Sequence, residues 1–358
     1  MTVGEESKKR MLESSSCYLI DGIYYYVDKR KKEAVVLKAD ACPTHLTIPD
    51  TITIPNSHIS WPVSYIHYKA FANSNIEDVE IGQNVKIINT AVFQGCAKLR
   101  VVKLPRTALD LRDQCFSGCI SLNTINLKYV GKIYSRAFYG CKSLDNITLS
   151  QNIETIPASA FNSCSNLTNI TIPSSVKEIG YEAFEWCENL KEIELPASVL
   201  KIDTEAFRGC SSLKRITINN PSIRLDWECF SDCSSLETID FPNDNMKIDG
   251  ACLINCFALD DNTLRHIEHT SLEQYIKESR NIEEKEAKRR ERRKKLWYKI
   301  YMCSTFILVC ILALPLVALA WGLIMFFASL IGTAVYYLSG LLIAGLLIAG
   351  FFKWLDDL

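Results

Sequence analysis

Cysteine recurs at positions 96, 119, 141, 164, 187, 210, 233 and 256, in steps of 22 or 23 residues. Three residues before each stands Phe93, Phe116, Phe138, Phe161, Phe184, Phe207, Phe230 or Leu253. Three after each stands Leu99, Leu122, Leu144, Leu167, Leu190, Leu213, Leu236 or Leu259. So fixed a period points to a solenoid, because a coil of this length cannot bury its own apolar side and must stack on copies of itself. A residue that returns in every coil therefore serves stacking, and only departures from the repeat argue for function.

Aligned on the aromatic, the coils read A-F-x-x-C-x-x-L-x-x-I-x-(I/L)-P-x-x-V-x-x-I. The clearest copy runs from Ala183-Phe184 through Cys187, Leu190, Ile193, Leu195, Pro196 and Val199 to Ile202. A degenerate coil begins at Ala70-Phe71, where Ser74 replaces the cysteine. In Leu-x-x-Ile-x-Ile the last two apolar positions are two apart and face one side of a strand. These residues resemble the BspA-like leucine-rich repeat family, over roughly residues 65–260. The resemblance implies an α/β solenoid of roughly nine coils with a parallel sheet on its concave face. Members of that family are often surface or adhesion proteins but are functionally diverse, so the fold leaves the partner open.

Residues 16–64 read as a β-rich N-terminal cap. Tyr18–Val27 and Glu33–Leu37 alternate as paired strands around the charged turn Asp28–Lys32, and an open solenoid end needs covering. Its tyrosines also suit a carbohydrate or peptide platform. Residues 1–15 read as a polar tail, with no apolar stretch of a secretion signal. Beyond Leu259 the pattern turns helical. Thr270-Ser-Leu-Glu273 has the form of a capping box, and Glu284–Lys288, Glu286–Arg290 and Glu291–Lys295 are i,i+4 pairs. Residues 261–299 are therefore expected to form a capping helix and charged stalk, with His266 and His269 as solvated helix residues.

Residues 300–352 contain no charged side chain, whereas one spanning helix needs only about 20 residues. Two transmembrane helices are expected, 300 to about 327 and about 335 to 352, with residues 353–358 as a short polar tail. The basic run Lys288–Lys295 before the first span places the solenoid on the cytoplasmic side. Exposure at the cell surface is the alternative that the family resemblance favours. The formal net charge of −1 gives no overall field for nucleic acid.

Within the repeat, a reduced, inward-facing cysteine ladder is expected, since buried thiols behave as small hydrophobes. Three cysteines depart from the period: Cys115, Cys229 and Cys252 replace the alanine before the aromatic. Cys229, Cys233, Cys252 and Cys256 then fall on neighbouring coils, and four thiolates suit tetrahedral zinc. Against this, C-x3-C lacks the tight knuckle of C-x2-C, so no metal or other cofactor is expected. The sequons at Asn146, Asn166 and Asn169 arise from strand positions of the repeat. No catalytic triad or phosphate-cradling glycine loop can be placed.

The residues on either side of the first strand isoleucine should point outward on the concave face. They form a row that includes Asn126, Asn146, Thr148, Asn169, Thr171, Glu192, Glu194, Arg215, Thr217 and Asp240. Solenoids use such a surface for protein ligands; a polar face that only keeps the sheet soluble is the alternative. The expectation is thus a membrane-anchored recognition scaffold, with an adhesin second and a zinc- or redox-linked protein third.

Overall fold

The computed structural model describes residues 3–268, 285, 287–295, 320–325, 349 and 353. Each coil of the solenoid contributes an inner strand, a turn and a short outer strand. The inner strands pair in parallel and in register: Asn146–Thr148 lies on Asn169–Thr171, and Glu192–Leu195 on Arg215–Ile218, which lies on Thr238–Asp240. The alternation of isoleucine with polar residues gives each strand one buried and one solvated side. Pro173 and Pro196 follow where the strand ends, since proline has no N–H for a ladder.

The repeated aromatic builds a column through the core. Phe71, Phe93, Phe116, Phe138, Phe161, Phe184, Phe207 and Phe230 stack at centroid separations of 5.1–5.6 Å, with planes inclined by 2–17°. Full burial of such a side chain contributes about 1.5–3 kcal/mol. The cysteines form a second column beside it. Each thiol donates to the carbonyl of the phenylalanine one coil earlier, from Cys96 to Phe71 at 3.1 Å through Cys256 to Phe230 at 3.0 Å. The described cysteines are all free thiols, as the expected reduced ladder requires. Burial raises the thiol pKa of Cys96, Cys119, Cys141, Cys187 and Cys233, and that of Cys164 to about 12.

The turn after each phenylalanine needs a left-handed residue. Glycine supplies it at 95, 118, 140 and 209, but Trp186 occupies the same place with φ 58°. A bulky residue there is strained. Its ring lies over Gly209, where a Cβ would meet the indole at 2.5 Å.

One coil is a residue short. The step from Cys119 to Cys141 is 22, and every other step along the ladder is 23. Both sheets are interrupted there. The inner strands Thr124–Ile125 and Asn146–Thr148 are joined only by the isolated bridge Leu127 to Leu149. The outer strand Val130–Ile133 ends one sheet, and Thr155–Ile156 begins the next. Between the outer strands opens a cleft of 460 Å³ lined by Tyr134, Asn152 and Glu154. The phenylalanine column crosses this seam unbroken, at 5.6 Å between Phe116 and Phe138.

The N-terminal cap is β-rich, as expected: Cys17–Ile20, Ile23–Asp28 and Glu33–Ala39 form an antiparallel meander that extends the outer sheet beyond Ser60–Ile66. The segment before it departs from the expected tail. Val3–Leu12 is an α-helix with Glu5 and Glu6 in its first turn and Lys9 and Arg10 in its last, the arrangement that the helix dipole favours. It docks through Lys8, whose ammonium donates to the carbonyls of Tyr68 and Lys69 at 3.3 and 3.0 Å.

The C-terminal end departs too. A capping helix from 261 is replaced by a single turn, Asp261–Leu264, capped by the Asp260 side chain. The strand Ile267–Glu268 follows, paired with Ile248–Asp249. The solenoid thus runs past 260. His266 is buried rather than solvated: its Nδ1 lies 2.9 Å from the Met246 carbonyl, and its ring stacks on Phe241 at 4.3 Å. The apolar Ile248–Ile267 pairing draws this segment inward. His269 and the capping box at 270–273 lie outside the described residues.

The second compact unit of the chain starts at Ile282. Residues 287–295 within it are helical, with Lys295 and Glu291 paired at 3.0 Å. The two expected membrane spans fall almost wholly outside the described residues. Among the described residues, no helix is long and apolar enough to cross a membrane.

Candidate protein-binding face

Strand register brings most of the expected row together in two groups, 146–171 and 192–240. Asn146 stands opposite Asn169 and Thr148 opposite Thr171; Glu192 faces Arg215 and Glu194 faces Thr217. Arg215 and Thr217 in turn face Thr238 and Asp240. Asn126, Asn146, Thr148, Asn169, Thr171, Glu192, Glu194 and Arg215 are exposed, and Thr217 and Asp240 are half-buried. The isoleucines between them, Ile147, Ile170, Ile193 and Ile216, are buried. Burial of one parity thus fixes display of the other.

Contacts differ along the row. Asn169 Nδ2 donates to Asn146 Oδ1 at 3.3 Å, a weak tie between neighbouring coils. Arg215 is committed to Asp240 at 2.9 Å, with Thr217 donating to the same carboxylate at 3.4 Å. Glu194 accepts from Asn219 at 3.1 Å. Asn126 turns back to accept the N–H of Lys128 at 2.9 Å, which makes it a turn former. It also borders a concave-side pocket of 550 Å³, together with Lys103, Arg106, Thr124 and Tyr129.

The four cysteines weighed for zinc do not converge. Among the described residues, the single group of three possible ligand atoms mutually within 4.8 Å is Glu182, Glu185 and Glu205. Cys233, Cys252 and Cys256 instead donate to the carbonyls of Phe207, Asp249 and Phe230 at 3.3, 2.8 and 3.0 Å. Burial, followed by hydrogen bonding from neighbouring thiols, holds the Cys229 and Cys233 pKa well above the ordinary thiol value.

The glutamate group went unseen in the sequence, although Glu182, Glu205 and Glu228 recur every 23 residues. Ser159 Oγ donates to Glu182 at 3.0 Å and Asn162 Nδ2 to Glu185 at 2.8 Å. Arg208 bridges Glu205, Glu228 and Asp232 at 3.2–3.9 Å. Burial and then the nearby Glu182 raise the Glu185 pKa. The Glu182 carboxylate, accepting a hydrogen bond from Tyr181, pushes that phenol up to about 12.

The BspA type leucine rich repeat region, in six copies, matches residues 64–191 and 154–283. The chain belongs to this family. The BspA-type repeat accounts for the solenoid and both of its columns. No curated protein matches the chain. Among solved structures, it is similar to a leucine rich cell surface protein from Faecalibacterium prausnitzii, at 20% identity over 72% of this chain and 95% of that one, with a TM-score of 0.46. A leucine-rich repeat protein from Bacteroides ovatus is 22% identical over 68% of this chain and 81% of its own, with a TM-score of 0.42. The leucine rich repeat protein of T. pallidum is 20% identical over 68% and 91%, with a TM-score of 0.34.

Proposed function

We propose that this BspA-type protein is a non-enzymatic recognition scaffold that holds a protein partner on its concave face, close to a membrane. The observation that carries this reading is the in-register, exposed row Asn146/Asn169, Thr148/Thr171 and Glu192/Arg215. The core is closed beneath it, so these side chains are available for a ligand. The membrane part rests on composition alone: residues 300–352 are uncharged and follow the basic run Lys288–Lys295, which favours a cytoplasmic solenoid.

The test replaces Asn146, Asn169, Glu192, Glu194 and Arg215 together with alanine. A photo-crosslinker at Thr148 should capture one defined partner in cells, and the five-fold variant should lose it while keeping the native circular dichroism spectrum. Unchanged capture would sink the concave-face reading. Protease treatment of intact cells decides sidedness: a protected solenoid supports the cytoplasmic scaffold, and a digested one supports a surface adhesin.

A further inference from the structure

The two long edges of the concave sheet are finished differently. At the C-terminal edge, Thr238–Asp240 is sealed: Thr263 Oγ1 accepts the N–H of Ile239 at 3.0 Å, and the N–H of Asp260 reaches the Glu237 carbonyl at 2.8 Å. At the N-terminal edge, His45–Ile48 pairs with Asp78–Ile81 and, among the described residues, with no strand on its other side. The direction of its backbone groups follows from this pairing. The carbonyls of Thr44 and Ile48 accept from Asp78 and Gly82, so the even positions bond inward along the ladder. The N–H and C=O groups of His45 and Thr47 then point away from it, because alternate residues of a parallel strand bond to opposite sides.

Beyond this edge the outer sheet continues for three more strands, while the inner sheet stops. The space so left is a groove of 670 Å³, lined by Ile20, Ile23, Pro43, Thr47, Ile52 and Thr53. That volume lies within the range of about 300–1,000 Å³ usual for ligand sites. Free backbone groups on one wall and apolar side chains on the other suit one kind of occupant, an added strand.

We propose that the groove beside His45–Ile48 binds an extended peptide segment of a partner, added as a parallel strand with apolar residues at alternate positions. The backbone of His45 and Thr47 supplies the hydrogen bonds. Inward side chains of the peptide enter between Ile20, Ile23 and Ile52, and outward ones join the concave face. The inner strands show the matching pattern: Ile-x-Ile occupies the equivalent place at Ile170–Ile172 and at Ile216–Ile218. The sealed opposite edge argues against a second copy stacked end to end. The inference is independent of the Asn/Thr row, so the five-fold row variant should bind such a peptide normally.

The probe is a labelled, end-blocked peptide Asn-Ile-Thr-Ile-Pro, the sequence of residues 169–173, added to the full chain in detergent. Binding should fall at least ten-fold for Thr47→Pro, which deletes an outward N–H and leaves the pairing with Asp78–Ile81 intact. Two versions of the peptide, N-methylated at opposite sets of alternate amides, should differ: one binds and the other does not. This arm uses the unaltered protein and stands even if Thr47→Pro fails to fold. No binding, equal binding to a folded Thr47→Pro protein, or equal binding of both methylated peptides would overturn the proposal. So would concentration-dependent end-to-end oligomers that exclude the peptide, since a second copy would then be the occupant.

Discussion

The phenylalanine–cysteine columns and the concave row are drawn from the same coils, yet they obey different rules. Along the columns, chemistry repeats from Phe71 to Phe230, with ring spacing varying by only half an ångström. Along the row, it changes from Asn and Thr to Glu, Arg and Asp. A stacked position must suit its neighbours on both sides, which is a self-consistency condition. A displayed position answers only to what lies outside the protein. Repetition thus reports stability, and departure from it reports freedom that recognition can use.

The widest gap between the two regions should appear in thiol labelling. Exposed Cys42 should react at once. Ladder thiols should react only on unfolding, and raising the pH to 9 should not help, because Cys164 stays protonated until about pH 12. Labelling of the ladder in the native state would break the distinction. In the column, Phe161→Ala should lower stability by about 3–5 kcal/mol, read by chemical denaturation.

At the cap, burial and then the neighbouring Lys8 depress the His67 pKa below its usual 6.5. The native state resists this proton, so its contribution is present above about pH 6.5 and is lost as pH falls through the depressed value. Protection of the Val3–Leu12 amides, relative to their intrinsic exchange rates, should fall on acidification, and His67→Phe should remove that response.

A smaller effect is expected at Glu185, whose raised pKa means that the native state holds its proton more tightly than the unfolded chain. Stability falls as pH rises from the ordinary carboxylate value through the raised one. Glu185→Gln should therefore raise the melting midpoint at pH 7 by roughly 1–2 °C, with the gain vanishing at pH 4. Smallest of all, each alanine substitution in the row should change stability by no more than about 0.5 kcal/mol. A larger loss from Asn169→Ala would mean that its bond to Asn146 serves the fold rather than a ligand.

What could be read from sequence followed the same division. The period located the coils, the inward cysteines and the parity of the concave strands, because each depends on neighbours at fixed spacing. The docked helix was hidden, since Lys8 finds its acceptors some 60 residues away in Tyr68 and Lys69. His266 was misread because its partners, Phe241 and Met246, lie in the preceding coil, where the repeat has already decayed. Cys229 and Cys252 lie on neighbouring coils, yet they form no set of ligands with Cys233 and Cys256, because the thiols of Cys233, Cys252 and Cys256 are turned to the carbonyls of Phe207, Asp249 and Phe230. The open strand edge leaves no trace in residue types at all, because it consists of backbone groups.

The short coil between Cys119 and Cys141 has a mechanical meaning. Sheet hydrogen bonds resist splaying of neighbouring coils, and here both sheets lapse at one level while the aromatic column continues. Flexure concentrated at that level breaks few backbone bonds and keeps the rings in contact. Any bending of the solenoid at this level would change the span of its concave surface without unfolding a coil.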